Sequence, residues 1–164
     1  MHLILDTSAI LSGRMNNLPS GFDYVLITSA VIDEIGKGAP ARILENLFSI
    51  GLRIMDPDDL EKAREMAAET GDIHGLSDTD LTIIALAVQL KDVAVMTDDF
   101  RIQNVLKKNG IHFIPSGEIG ERSISSIWKW SRRCTGCGRY HDDADLKDCP
   151  VCGSPLKTKR IKSN

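Results

Sequence analysis

Over the first 115 residues, short apolar runs alternate with stretches whose apolar positions recur at helical spacing. Leu3-Ile4-Leu5 ends in Asp6-Thr7-Ser8 and reads as a buried strand followed by a helix cap. A polar stretch from Gly13 to Gly21 leads to a second strand, Tyr24 to Ile27. Thr28 or Ser29 then caps a helix through Val31, Ile32 and Ile35 to Gly36. Pro40 stands near the start of another helix, with Ile43, Leu44, Leu47 and Phe48 on one face. Leu52 to Met55 is a marginal strand, and Asp58 or Asp59 opens a polar helix to about Thr70. After a loop from Gly71 to Gly75, Ser77 begins the clearest helix, carrying Leu81, Ile84, Ala85 and Val88 on one face. Val93 to Thr97 is a strand stopped by Asp98-Asp99. Phe100 to Asn109 is a helix ended by Gly110, and Ile111 to Ile114 a last strand. Strands alternating with helices predict an α/β fold, a mainly parallel sheet covered on both faces in three α/β/α layers.

The division predicted is a body over 1–116, a connector over 117–130 and a small module over 131–164. Ile119, Ile124, Ile127, Trp128 and Trp130 make the connector apolar enough to pack back on the body. The chain has 164 residues, 42% of them hydrophobic and 26% charged, so wholesale disorder is excluded. No apolar run approaches the ~18 residues of a bilayer span, and the N-terminus lacks the basic region of a signal peptide. A cytoplasmic location is expected. The net charge of −3 hides a split: residues 128–164 hold nine Lys/Arg against four Asp/Glu, giving +5, so the rest carries −8.

Groups at the carboxyl ends of parallel strands converge on one crevice. Asp6 and Asp98/Asp99 stand at such ends, and Glu34 and Asp80 lie on helices that begin nearby. Four carboxylates in one region repel unless a divalent cation neutralises them, and hard oxygen donors select Mg²⁺ or Mn²⁺. Such a site activates water and stabilises displacement at a phosphodiester. Each acid also has a plainer role open to it. Asp6, Asp98 and Asp99 suit helix caps or turns, Asp80 completes a capping box with Ser77, and Glu34 suits a solvated helix face. Asp78 points about 200° away from Asp80 on an ideal helix and is the weaker candidate. Asp72 and His74 are expected on a surface loop, although flanking the site is the other reading. His2, His112 and His141 have no partner in the pattern.

Leu-Asp-Thr-Ser-Ala at 5–9, Val-Ile-Asp-Glu-Ile at 31–35, Leu-Ser-Asp-Thr-Asp-Leu at 76–81 and Val-Met-Thr-Asp-Asp-Phe at 95–100 resemble the PIN-domain nucleases. The resemblance implies that Asp6, Glu34, Asp80 and one of Asp98 and Asp99 are metal-site acids. Aligning the family's Thr-x-Asp on Thr97 selects Asp99, whereas counting from the Asp80 helix selects Asp98; both are retained. Thr7 and Ser8 match the family's small hydroxyl residues, which support the first Asp.

Cys134-Thr-Gly-Cys137-Gly and Cys149-Pro-Val-Cys152-Gly are two knuckles that together complete a tetrahedral Zn²⁺ site. A redox Cys-x-x-Cys normally opens a helix in a thioredoxin-like unit, and that context is absent here. About 30 residues cannot bury a sufficient core, so the metal should supply much of the folding energy. Around the knuckles, Trp130, Arg132, Arg133, Lys157, Lys159 and Arg160 combine cations with an aromatic, which suits RNA contact; the plainer alternative is a solvated basic surface with Trp128 and Trp130 buried against the body.

A PIN body followed by Trp-x-Trp-x-Arg-Arg-Cys and a four-cysteine ribbon resembles the archaeal Nob-type ribosome-maturation endonucleases over nearly the whole chain. That resemblance implies an endoribonuclease using Mn²⁺ or Mg²⁺ to cut precursor small-subunit rRNA at its mature 3′ end on the pre-ribosomal small subunit. Hydrolysis would leave a 5′-phosphate and a 3′-hydroxyl. Two alternatives stay open: a toxin-type PIN ribonuclease acting on other RNAs, and a non-catalytic zinc-ribbon RNA-binding assembly factor.

Overall fold

A computed structural model describes residues 1–12, 17–36, 39–116, 123–143 and 145–162. Ile119, the rest of the expected connector over 117–122 and part of the polar stretch after Leu11 lie outside these residues. The body contains β1 (His2–Leu5), α1 (Thr7–Leu11), β2 (Val25–Ile27), α2 (Ser29–Ile35), α3 (Ala39–Ser49) and β3 (Arg53–Ile54). It continues with α4 (Glu61–Thr70), a 3₁₀ turn (Ile73–Gly75), α5 (Asp78–Leu90), β4 (Val93–Met96), α6 (Phe100–Lys108) and β5 (His112–Ile114). The five strands form one parallel sheet in the order β3-β2-β1-β4-β5.

The right-handed crossover rule assigns α1–α3 to one face and α4–α6 to the other. Contacts of α1 with α2 and α3, and of α5 with α4 and α6, agree. β1 is central, and Leu3, Ile4 and Leu5 have no exposed surface, as expected of a strand covered on both sides. The chain leaves β1 towards β2 but leaves β4 towards β5, so the order reverses between these neighbours. This switch point is where a parallel sheet opens its crevice. Leu5 pairs with Met96, so both strands end level, and the Asp6 N–H donates to the Met96 carbonyl at 3.0 Å. Helix α2 also touches α5.

Local capping differs from expectation at the start of α2. Thr28 holds the N-cap position of α2 without a side-chain cap bond; its hydroxyl lies 2.9 Å from that of Thr82. Asp56 caps instead, accepting from the Ser29 N–H at 2.7 Å and its hydroxyl at 2.6 Å. The capping box of α5 is present, with Ser77 and Asp80 bonded reciprocally.

The ribbon is an antiparallel sheet in the order β7-β6-β8, from β6 (Trp128–Cys134), β7 (Tyr140–His141) and β8 (Leu156–Lys162). β6 starts ahead of the expected boundary at 131, so both tryptophans belong to the sheet. Among the described residues its apolar cluster is Cys134, Cys149 and Leu156, with Leu146 packed alongside. Buried side-chain amides join ribbon to body. Asn104 donates to the Trp128 carbonyl and accepts from its N–H, both at 2.7 Å, while Gln103 accepts from the Ile124 N–H at 3.0 Å. Ile124 is buried, in keeping with a segment that packs back.

Candidate active site and thiolate centre

Asp6 follows β1 and is 3% exposed. Two hydroxyls converge on its Oδ2: Ser8 Oγ at 2.7 Å and Thr97 Oγ1 at 2.6 Å. Each hydroxyl is itself held by the β4 end. Ser8 Oγ accepts from the Asp98 N–H and Thr97 Oγ1 from the Asp99 N–H, both at 3.0 Å. A hydroxyl that accepts from an amide has its proton aimed at the carboxylate, so the paired strand ends orient Asp6 without a cation. The position is that of a helix cap, yet Asp6 makes no side-chain cap bond to α1.

Burial pushes the Asp6 carboxyl above its ordinary value, against the pull of Thr97 and Ser8, and the charge of Asp80 adds to the rise. Asp80 is raised by burial too, opposed by Ser77, with Asp99 and Glu34 contributing repulsion. Asp6, Glu34, Asp80 and Asp99 therefore share one field. Glu34 Oε2 accepts from Thr7 Oγ1 at 2.7 Å. Thr7 thus supports Glu34 rather than Asp6, because its hydroxyl faces α2. Asp99 caps α6 through the Arg101 and Ile102 N–H groups. Asp98 turns to Ser116, accepting from its N–H at 3.0 Å and from its hydroxyl. Asp78 is exposed and paired with Arg64 at 3.1 Å, outside the group.

The donors are chemically those of a hard divalent cation, all oxygen and drawn from separate elements, although among the described residues the cysteines alone have ligand atoms gathered closely enough to hold an ion as they stand. Thr97 was the supporting residue that sequence reasoning missed. Its signals were a hydroxyl between an apolar strand and two acids and the Thr-x-Asp match, neither of which assigns it a partner.

The cysteines come closer together. Their four sulfurs lie within 4.8 Å of one another, with Cys134–Cys152 at 3.4 Å and Cys137–Cys149 at 3.7 Å. Four sulfurs about 2.3 Å from one ion sit about 3.8 Å apart at tetrahedral angles, so the cage fits Zn²⁺. The N–H groups of Gly136 and Cys137 both point at Cys134 Sγ from 3.3 Å. Gly138 and Gly153, after each second cysteine, take φ of +75° and +70°, which closes each turn without a Cβ clash. Hydrogen bonds from Ser154 lower the Cys152 thiol to about 6, favouring thiolate at neutral pH. His141 Nε2 lies 3.4 Å from Cys149 Sγ, a contact that nothing in the cysteine spacing indicated.

The basic residues fall on two faces of the ribbon. Pairing of β6 with β8 puts Trp130 opposite Arg160 and Arg132 opposite Thr158, while Arg133 faces Lys157 and Ser131 faces Lys159. Alternation sends these sets to opposite sides. Arg160 lies over the Trp128 ring at 4.6 Å. Trp130 Nε1 donates to Asp72 Oδ1 at 2.6 Å, and Asn104 Nδ2 donates to Asp72 Oδ2 at 2.7 Å. Asp72 is accordingly 2% exposed, not a surface-loop residue, because partners from two distant segments satisfy its carboxylate. His74 is exposed as expected.

The family model describing the PIN domain of ribonuclease matches residues 3–90. Endoribonuclease Nob1 of Methanothermobacter thermautotrophicus is 38% identical, the match covering 99% of this chain and 95% of that protein. Endoribonuclease Nob1 of Archaeoglobus fulgidus is 42% identical, over 98% and 92%. Ribonuclease VapC1 of Thermoplasma acidophilum is 35% identical, over 96% and 77%. Among the described residues no helix is long and apolar enough to cross a membrane. With the parallel sheet, the acids at its switch point and full-length similarity in hand, the chain belongs to the PIN-domain endoribonucleases of the Nob1 family.

Proposed function

We propose that this endoribonuclease cuts precursor small-subunit (16S) rRNA at the mature 3′ end during ribosome biogenesis, acting in the cytoplasm on the pre-ribosomal small subunit. Asp6, Glu34, Asp80 and Asp99 hold Mn²⁺ or Mg²⁺, and Cys134, Cys137, Cys149 and Cys152 hold one structural Zn²⁺. Asp98 serves instead to anchor Ser116 beside the site. The observation that carries this reading is the buried Asp6 carboxylate, aimed by Ser8 and Thr97 into a field shared with three other acids.

A divalent cation in this site supplies Lewis-acid stabilisation and a more acidic attacking water. The protein's part is orientation. The Ser8 and Thr97 hydroxyls fix Asp6, Thr7 fixes Glu34, and Ser77 fixes Asp80. Asp99 is fixed through the first turn of α6. An acidic body repels a polyanion, so the cationic ribbon, through Trp130, Arg132, Arg133, Lys157, Lys159 and Arg160, supplies the grip on RNA.

The test is incubation with a precursor spanning the small-subunit 3′ end, with and without Mn²⁺, followed by mapping of the ends formed. One cation-dependent cut at the mature end, leaving a 3′-hydroxyl, is expected. Similarity to VapC1 keeps a toxin-type ribonuclease as the second reading. Equal cleavage of unrelated RNAs in the same assay would favour it over the ribosomal one.

A further inference from the structure

A cleft of about 420 Å³ opens between body and ribbon, bounded by the α4–α5 loop, Arg101, Trp130, Arg132 and Thr158. That size falls within the ~300–1,000 Å³ of small-ligand sites. The packing of its wall is specific. A Cβ on Gly75 would stand 2.4 Å from Arg101 Cζ, and Arg101 Nη1 donates to the Gly75 carbonyl at 2.8 Å. The missing side chain thus gives the guanidinium its seat, with its carbon 6.0 Å from the Trp130 ring centroid. A Cβ on Gly71 would meet Trp130 Cβ at 3.2 Å, and the bond to Asp72 locks the indole in place. The cleft is also tied to the acidic centre. The Arg101 N–H donates to Asp99 Oδ1 at 2.6 Å, and the loop leads directly into the helix that carries Asp80.

We propose that this cleft seats one unpaired nucleotide of the RNA strand, next to the phosphodiester to be cut, with its base against Trp130 and its phosphate on Arg101 and Arg132. The proposal rests on the RNA-cleaving function given above and adds Arg101 to the residues that bind substrate. Two guanidiniums match a phosphate's oxygens in charge and in fork geometry. Asp142 and Asp145 also line the cleft; they repel phosphate and accept from base N–H groups, so the base lies on their side. A base stacked in a duplex cannot enter, which selects single-stranded or flipped-out nucleotides.

The test uses the zinc-loaded full chain carrying Trp128→Phe, so that emission reports Trp130. It is titrated, without Mn²⁺ or Mg²⁺, with a single-stranded RNA heptamer and with the corresponding duplex. The single strand should quench Trp130 and the duplex should not. Arg101→Met should weaken single-strand binding roughly tenfold, the scale of losing a charge-assisted hydrogen bond. Gly75→Ala keeps the charge but displaces the guanidinium, and should produce a similar loss; Arg101→Lys should restore part of the affinity. Far-UV spectra and melting midpoints hold the fold constant across the series. Equal quenching by the duplex, or unchanged affinity in both Arg101→Met and Gly75→Ala, overturns the proposal. Precursor cleavage with Mn²⁺ is read in parallel. A Trp128→Phe protein that cleaves precursor but whose Trp130 is not quenched sinks the cleft alone, whereas a wild type that cleaves no precursor sinks the function on which it rests.

Discussion

In the body, Thr97 reaches Asp6 across 91 positions of chain because β1 and β4 lie side by side in register. In the ribbon, Cys134 meets Cys152 across 18, and every thiol has a mate three positions away in the same turn. The body buries an extensive apolar core and could assemble its carboxylates unaided, whereas among the described residues the ribbon's cluster is three buried residues and Leu146, too small a core to fold without a cross-link such as a metal on its four thiols. On the proposed reading, the fold would make the metal site in one unit and the metal site would make the fold in the other.

Chelating the zinc is the strongest way to break that contrast. It removes binding free energy on the order of 10–16 kcal/mol, so residues 131–160 should lose amide-exchange protection while α5 and the body sheet keep theirs. Simultaneous collapse of both would mean a single cooperative unit. Asp6→Asn does the reverse, sparing the fold but lowering cleavage by at least about a hundredfold, as for loss of other electrostatic groups in a reaction centre. Steady-state rates compared at matched melting temperature would expose the alternative, retained Mn²⁺-dependent activity. Asn104→Leu strikes the joint between the units. Buried groups left unpaired cost about 1–3 kcal/mol each, so the melting midpoint should fall and the tryptophan emission should shift to the red. An unchanged spectrum would mean that the ribbon is seated by other contacts.

The smallest effect expected is one of pH. Burial raises both Asp6 and Asp80. For a carboxyl raised in the folded state, the favourable contribution is complete below the unfolded pKa and is lost as pH rises through the folded one. The cation-free body should therefore lose stability from these two groups as pH rises above their ordinary value of 3.8. Mn²⁺ should raise the melting midpoint more at neutral pH than under acid conditions, where protons compete for the same oxygens. A pH-independent increment in thermal melts would detach the cation from these carboxylates.

Much of the acidic centre was legible because apolar strands ended in acids at level positions, and much of the thiol cage because its ligands are local. The supporting hydroxyls were harder to assign. Whether Thr7 serves Asp6 or Glu34 depends on where α2 comes to rest, and the role of Thr97 depends on the register of β1 against β4. Asp72 misled for a related reason. A carboxylate in a glycine-flanked loop belongs in water unless remote donors satisfy it, and Asn104 and Trp130 come from two later segments. The basic residues look like one patch in a linear string; only the pairing of β6 with β8 divides them between two faces.

Asn104 places its carboxamide where a neighbouring strand's peptide group would lie, and shares its nitrogen between Trp128 and Asp72. Deamidation at that one position would exchange a donor for a second anion facing Asp72. An acid at position 104 would then push against Asp72 where the amide now draws it and Trp128 together.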